Sequence, residues 1–211
     1  PSFSNIQATP NPAGTGAVTV AFRSSRELQG NPSVNVTPGA EKGATQQMAA
    51  QFVSKSGNDY TYRFDVQGSQ QSGRSDITIR GADATGCAGG GLAGSFCIDT
   101  AAPTTTIKCN GGSCGQAFAD SVSVLFSATD ASGSCGAGVK EILSSVDGGA
   151  EAAIAGAEGG IAVSGHGTHT VTYRARDNLG NMETLKSASI NINTIPTQGK
   201  MDVKIQMEKT M

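Results

Sequence analysis

A chain of 211 residues with a formal net charge of -2 is long enough for one large domain, or for two of about 100 residues each. Only 15% of residues are charged, aromatics are 5% with no tryptophan, and there are 29 glycines. Such a profile suits short strands joined by turns and excludes helical bundles, which need Leu, Glu and Lys. Nucleic acid is excluded as a partner by the missing basic footprint, and a membrane-spanning helix by the lack of any apolar run near the required ~20 residues. The opening PSFSNIQ is not leader-like, so a secreted chain is expected here in mature or excised form.

In chain order, apolar residues recur at every second position in AVTVAF (17–22), SVNVT (33–37), YTYRFDV (60–66), DITIR (76–80) and SFCI (95–98). The second half does the same in TTIKC (105–109), SVSVLFSA (121–128), VKEILSSV (139–146), GTHTVTYRA (167–175) and SASINI (187–192). Period 2 puts one set of side chains on a buried face and the other in water. Turn clusters such as NPAGTG, SGND, GSQQSG, NGGS, VDGG and DNLG separate the runs. Short strands at intervals of roughly 8–12 residues predict antiparallel β-sandwiches. The segment EKGATQQMAAQF (41–52) could pass for helix, but its surroundings favour an irregular strand or a single turn. Phe22, Tyr60, Tyr62, Phe64 and Phe126 alternate along strands and are expected in the core.

A phrase is written twice. Arg80, Asp83, Gly86, Ser95, Ile98 and Thr100 fall on Arg174, Asp177, Gly180, Ser189, Ile192 and Thr194 at an offset of 94 residues. The offset measures a module: one over 1–100, a second over 101–194, and a linker with a tail over 195–211. Pro103 and Pro196 follow the last strand of each, and a proline cannot donate to a ladder.

Of five cysteines, Cys87 and Cys97 bracket a glycine-rich loop, AGGGLAGSF, and Cys109 and Cys114 bracket an NGGS turn. With no CxxC and both histidines elsewhere, two short-range disulfides are the favoured reading, each worth roughly 2–3 kcal/mol. They imply an oxidising compartment. Cys135 is left over, as a free thiol or as an alternative partner for Cys114.

The runs ATDASGSCGAG, SVDGG and GTHTVTYRARDNLGN and the junction DTAAPTTTIKCNGGSC resemble bacterial Ig-like (Big-type) tandem repeats of large secreted and cell-surface proteins. The resemblance covers Pro103 to Thr194 nearly throughout; PSVNVTPG, NDYTYRFDV and DITIRGADATG carry a looser version in the first module. It implies two tandem immunoglobulin-like sandwiches of seven strands, occurrence in arrays, and a role in spacing or adhesion without catalysis. The CNGGSC turn resembles the cystine turn of some such repeats, which supports a Cys109–Cys114 pair; Cys135 interrupts the usual aspartate-serine-glycine loop.

In that topology the loops after the second and sixth strands lie at the end where the chain enters. Asp99 in the incoming linker, Asp130 and Asp177 are therefore expected to converge at the junction. Carboxylates from separate segments suit Ca²⁺, which takes six to eight oxygens; the alternative is that Asp130 and Asp177 cap their own loops as Asx turns. The first module has Arg23-Ser24 where the acid would stand, so no equivalent site is expected there. His166 and His169 are three apart at a strand start, which sends them to opposite faces and argues against zinc. No GxSxG elbow, P-loop or dinucleotide fingerprint occurs.

After Pro196, TQGKMDVKIQMEKTM alternates Val203, Ile205 and Met207 against polar residues. This reads as the start of a third repeat, as a strand donated to another copy's open edge, or as a strand folded back on its own module. The expectation is a non-enzymatic extracellular spacer, stalk, filament or adhesion unit, with further Ig-like modules or copies of itself as partners and a cell-surface or glycan ligand. The alternative is an accessory or glycan-binding module of a secreted polysaccharide-active protein.

Overall fold

A computed structural model describes residues 1–131 and 133–193. Val203, Ile205 and Met207, the proposed assembly strand, lie outside the described residues. The described chain is all β, immunoglobulin-like in its sheet order, with no α-helix among its described residues.

The N-terminal half runs β1 (Phe3–Thr9), β2 (Gly16–Ser24), β3 (Ser33–Thr37), β4 (Met48–Ala49), β5 (Gln51–Ser56), β6 (Asp59–Val66), β7 (Gly73–Ala82) and β8 (Ala88–Ile98). They form two four-stranded antiparallel sheets, ordered β1-β2-β6-β5 and β4-β3-β7-β8. The alternation expected from sequence is realised: Val18, Val20 and Phe22 of β2 and Tyr60, Tyr62, Phe64 and Val66 of β6 point inward, facing Val34, Val36, Ile77, Ile79, Phe96 and Ile98. Phe22 stacks on Tyr60 at 5.4 Å and takes Phe3 edge-on at 5.6 Å. Each such burial contributes about 1.5–3 kcal/mol. The ambiguous 41–52 segment is a single 3-10 turn (Ala40–Lys42) followed by the short strands β4 and β5.

The C-terminal half runs β9 (Thr104–Cys109), β10 (Ala117–Phe118), β11 (Val122–Thr129), β12 (Val139–Val146), β13 (Ala152–Ala155), β14 (Glu158–Val163), β15 (Gly167–Asp177) and β16 (Lys186–Ile192). Its sheets are β14-β11-β9 and β10-β16-β15-β12-β13, with β10 parallel to β16 and the other pairs antiparallel. Its core, built on Val122, Val124, Phe126, Ile142, Val171, Tyr173, Ala175, Ile190 and Ile192, shares no residue with the first.

The glycine-rich stretch after Cys87 is not a loop. It is β8, paired along its length with β7. A Cβ on Gly89 would come within 2.0 Å of the Pro1 carbonyl oxygen, and one on Gly90 within 2.0 Å of that of Ile79. These positions are glycine because neighbouring backbone passes too close for a side chain.

Candidate cation site and a covalent bridge between the two cores

The expected Cys87–Cys97 disulfide does not form. Cys87 immediately precedes β8 and Cys97 lies near its end, and ten residue steps of extended strand separate them by about 33 Å. Cys97 is bonded instead to Cys135, with a Cα–Cα distance of 5.0 Å and a sequence separation of 38. Cys135 is thus neither a free thiol nor a partner for Cys114. Cys87 is the exposed free thiol, while Cys109 and Cys114 pair as expected. The long bridge joins the last strand of the first core to the 3-10 turn Gly133–Cys135 between β11 and β12.

The same place gathers the three acids. Carboxylate oxygens of Asp99, Asp130 and Asp177 all lie within 4.8 Å of one another; Asp99 and Asp177 are buried and Asp130 is half-buried. Asp99 follows β8, Asp130 follows β11 and Asp177 ends β15, so three turns set the cluster.

Backbone donors hold each carboxylate. Asp99 Oδ2 accepts from Ala137 N at 2.7 Å and its Oδ1 from Ala101 N at 3.2 Å. Asp130 Oδ2 accepts from Gly138 N at 2.8 Å. Asp177 Oδ1 accepts from Leu179 N at 2.9 Å and Asn181 N at 2.8 Å, and its Oδ2 from Asn181 Nδ2 at 2.7 Å. Asp177 therefore does make the Asx turn of the alternative reading, while still presenting its carboxylate to the cluster. Asn181 Nδ2 also donates to the Asp99 carbonyl at 3.0 Å, and Asn178 Nδ2 to that of Ala137 at 2.8 Å. Sequence reasoning does not single out Asn178 and Asn181; their signal is the DNLGN turn itself.

Two oxygens on opposite sides of a Ca²⁺ ion are separated by at most about 5.2 Å, twice the longest usual bond. The 4.8 Å span falls within that limit. Hard carboxylate donors from three segments suit a hard cation, with carbonyls and water to complete the shell. The segments come from both sides of the junction, so such an ion would tie the linker to two loops of the C-terminal half. Leu179, on the loop that Asp177 caps, lies over Gly14 of the N-terminal half, whose added Cβ would sit 3.4 Å from it.

Asp83, the N-terminal half's counterpart of Asp177, is neutralised differently. Buried Asp83 accepts at Oδ1 from Thr85 N, Thr85 Oγ1 and Cys87 N, and at Oδ2 from the Arg26 guanidinium at 3.1 Å. The Thr85 hydroxyl bond is the largest cause that brings its pKa down to about 2; the Cys87 amide, Arg26 and the Thr85 amide add to it against the upward push of burial. Where Asp83 meets a guanidinium, Asp177 meets two more carboxylates, Asp130 from its own half and Asp99 from the incoming linker.

His169 is tied into its own turn. Its Nδ1 is 2.7 Å from Asp147 Oδ2 and its Nε2 is 3.2 Å from the Gly165 carbonyl, pinning the β15 start to the VDGG turn.

No protein-family model matches the chain, and no curated protein matches it. Among solved structures it is similar to the fibronectin(III)-like modules of Clostridium thermocellum CbhA, at 13% identity and TM-score 0.33 over 90% of this chain and 94% of that one. It is also similar to part of a 1.5-MDa bacterial ice-binding adhesin, at 15% identity and TM-score 0.42 over 90% of this chain and 64% of that one. A third is the D00-D0 domain of intimin, at 15% identity and TM-score 0.38 over 90% and 98%.

Proposed function

We propose that the protein is a non-enzymatic, extracellular spacer or adhesion unit made of two Ig-like sandwiches, over 1–100 and 101–194, whose junction is held stiff. The observation that carries this reading is the junction itself: between two separate cores, the bridged Cys97 and Cys135 stand two residues from Asp99 and five from Asp130, and those two acids meet Asp177. A hinge free to bend needs neither. The bridge supports an oxidising compartment, where such a bond persists. Ca²⁺ bound by the three aspartates completes the clamp. The partners are further Ig-like modules or copies of this chain, reached through its ends.

Thermal melting during a calcium titration tests the cation. Extracellular modules bind at about 10⁻⁴–10⁻³ M, and millimolar calcium at about 10 times Kd stabilises by about 1.4 kcal/mol, from RT ln(1 + [L]/Kd). A rise in Tm at millimolar calcium, absent in Asp130→Asn and absent with magnesium, is expected. An unchanged Tm in the wild-type protein would sink the cation clamp.

A further inference from the structure

The bridge joins strands that differ greatly in how they resist being pulled. Between Cys97 and Cys135 there are two covalent routes. One is the peptide through the linker, β9, β10 and β11; the other is the disulfide. When the chain is stretched from its ends, the shorter and stiffer route takes the load, and that is the disulfide.

Without the bridge, tension would enter the C-terminal half at Thr104, the start of β9. That strand lies at the edge of a three-stranded sheet and is laddered to one neighbour only, over six paired positions with β11. With the bridge, tension enters through Cys135, in the turn four residues before β12, and β12 lies inside the five-stranded sheet between β13 and β15. The direction also matters. Val139, which opens β12, pairs with Asp177 at the end of β15, whereas Ile192, which closes β16, pairs with Gly167 at its beginning. Pulling the start of β12 against the end of β16 therefore slides strands along their length. Ladder hydrogen bonds run perpendicular to the strands, so sliding loads them together instead of one at a time.

We infer that the Cys97–Cys135 disulfide is a tension bypass, which hands load from β8 to the interior strand β12 and leaves the linker and β9–β11 unloaded. This deepens the spacer reading and rests on it for its use; a failed calcium titration would remove the cation from that reading without altering the expected extension or unfolding force.

Single-molecule stretching of the whole chain, held by its two ends in a Cys87→Ser background that prevents thiol exchange, tests it. In the oxidised protein the 38-residue separation stays locked. Reductant added to the folded protein should lengthen the total extension by about 130 Å, from about 3.3–3.6 Å per residue, and should lower the force at which the C-terminal half unfolds. The C97S/C135S double variant should behave likewise, less about 15 Å because Cys109–Cys114 still shortcuts its loop; its thermal melt reports whether it folds, and the reductant experiment stands if it does not. Added length with an unchanged unfolding force would overturn the bypass, and unchanged length would overturn the bridge itself.

Discussion

Asp83 and Asp177, 94 residues apart, hold their loops in the same way: Oδ1 of each accepts from the backbone N–H two and four residues on. They part at Oδ2. Arg26 meets Asp83 there, while Asn181 meets Asp177 beside two further aspartates. The repeated aspartate is thus first a loop former. Its second oxygen differs between the two halves, turned in one toward the exposed Arg26 and in the other toward the junction.

This difference predicts how the N-terminal half responds to acid. The folded pKa of Asp83 lies near 2, below its ordinary 3.8. A carboxyl lowered by folding stabilises fully above its unfolded pKa, and that stabilisation fades as pH falls from about 4 through about 2. Thermal melts of wild type and Asp83→Asn should differ most above pH ~4 and converge toward pH ~2. A gap that stayed constant across this range would contradict the assignment.

Glu183 predicts a larger loss. Buried at the foot of the second core, it accepts from Thr105 N at 2.9 Å, Thr105 Oγ1 at 2.6 Å and Ala175 N at 3.1 Å, and it pairs with Lys186. Burial alone would raise its pKa, but the bonds from Lys186, Thr105 and Ala175 outweigh it and hold the carboxyl below its ordinary value. Lys186 also donates to the Thr105 carbonyl at 2.8 Å, so the cluster fastens β9 to β15 and β16. Glu183→Ala strands several buried donors at about 1–3 kcal/mol each, partly relieved by water, for a total of roughly 2–4 kcal/mol. Chemical denaturation should show this, with Glu183→Gln losing less; a loss below about 1 kcal/mol would contradict the lock.

Much of this fold is legible in the residues, and the misses share a cause. Alternation works where one face is buried, and β2, β3, β6, β7, β11, β12 and β15 fall where it points. The β5 strand escapes because all six of its residues are exposed, leaving no inward set to alternate. The first half of β8 escapes because glycine carries no polarity to alternate, so a strand reads as a loop. The cysteine pairing fails with it: a loop would let Cys87 and Cys97 meet, whereas a strand holds them apart. The aspartates are legible because topology alone brings their loops to one end; Cys97–Cys135 needs the turn at Gly133–Cys135 in three dimensions.

His169 supplies a prediction near neutral pH. Hydrogen bonds to the Asp147 carboxylate and to the Gly165 carbonyl raise its pKa above 6.5. A raised histidine stabilises fully below its unfolded pKa, and the contribution disappears as pH rises through the folded value. An NMR titration of the His169 ring should therefore give a midpoint above 6.5 that falls back in Asp147→Asn. A midpoint at or below 6.5 in the wild-type protein would remove the pair.

The cysteine arrangement predicts a simple labelling result. Cys87 is exposed and free at the start of β8, Cys97 and Cys135 are bonded across the junction, and Cys109 and Cys114 are bonded across their turn. A thiol reagent applied to the native protein should therefore add one label by intact mass, against five after reduction and unfolding. Proteolysis without reduction should give a linked pair of peptides containing Cys97 and Cys135, with the label on the peptide of Cys87. The pairing expected from sequence, Cys87 with Cys97, would place that single label on Cys135 instead. Cys135 is buried beneath the junction turn, so a native label there would require the junction to open as well as the disulfide to be different.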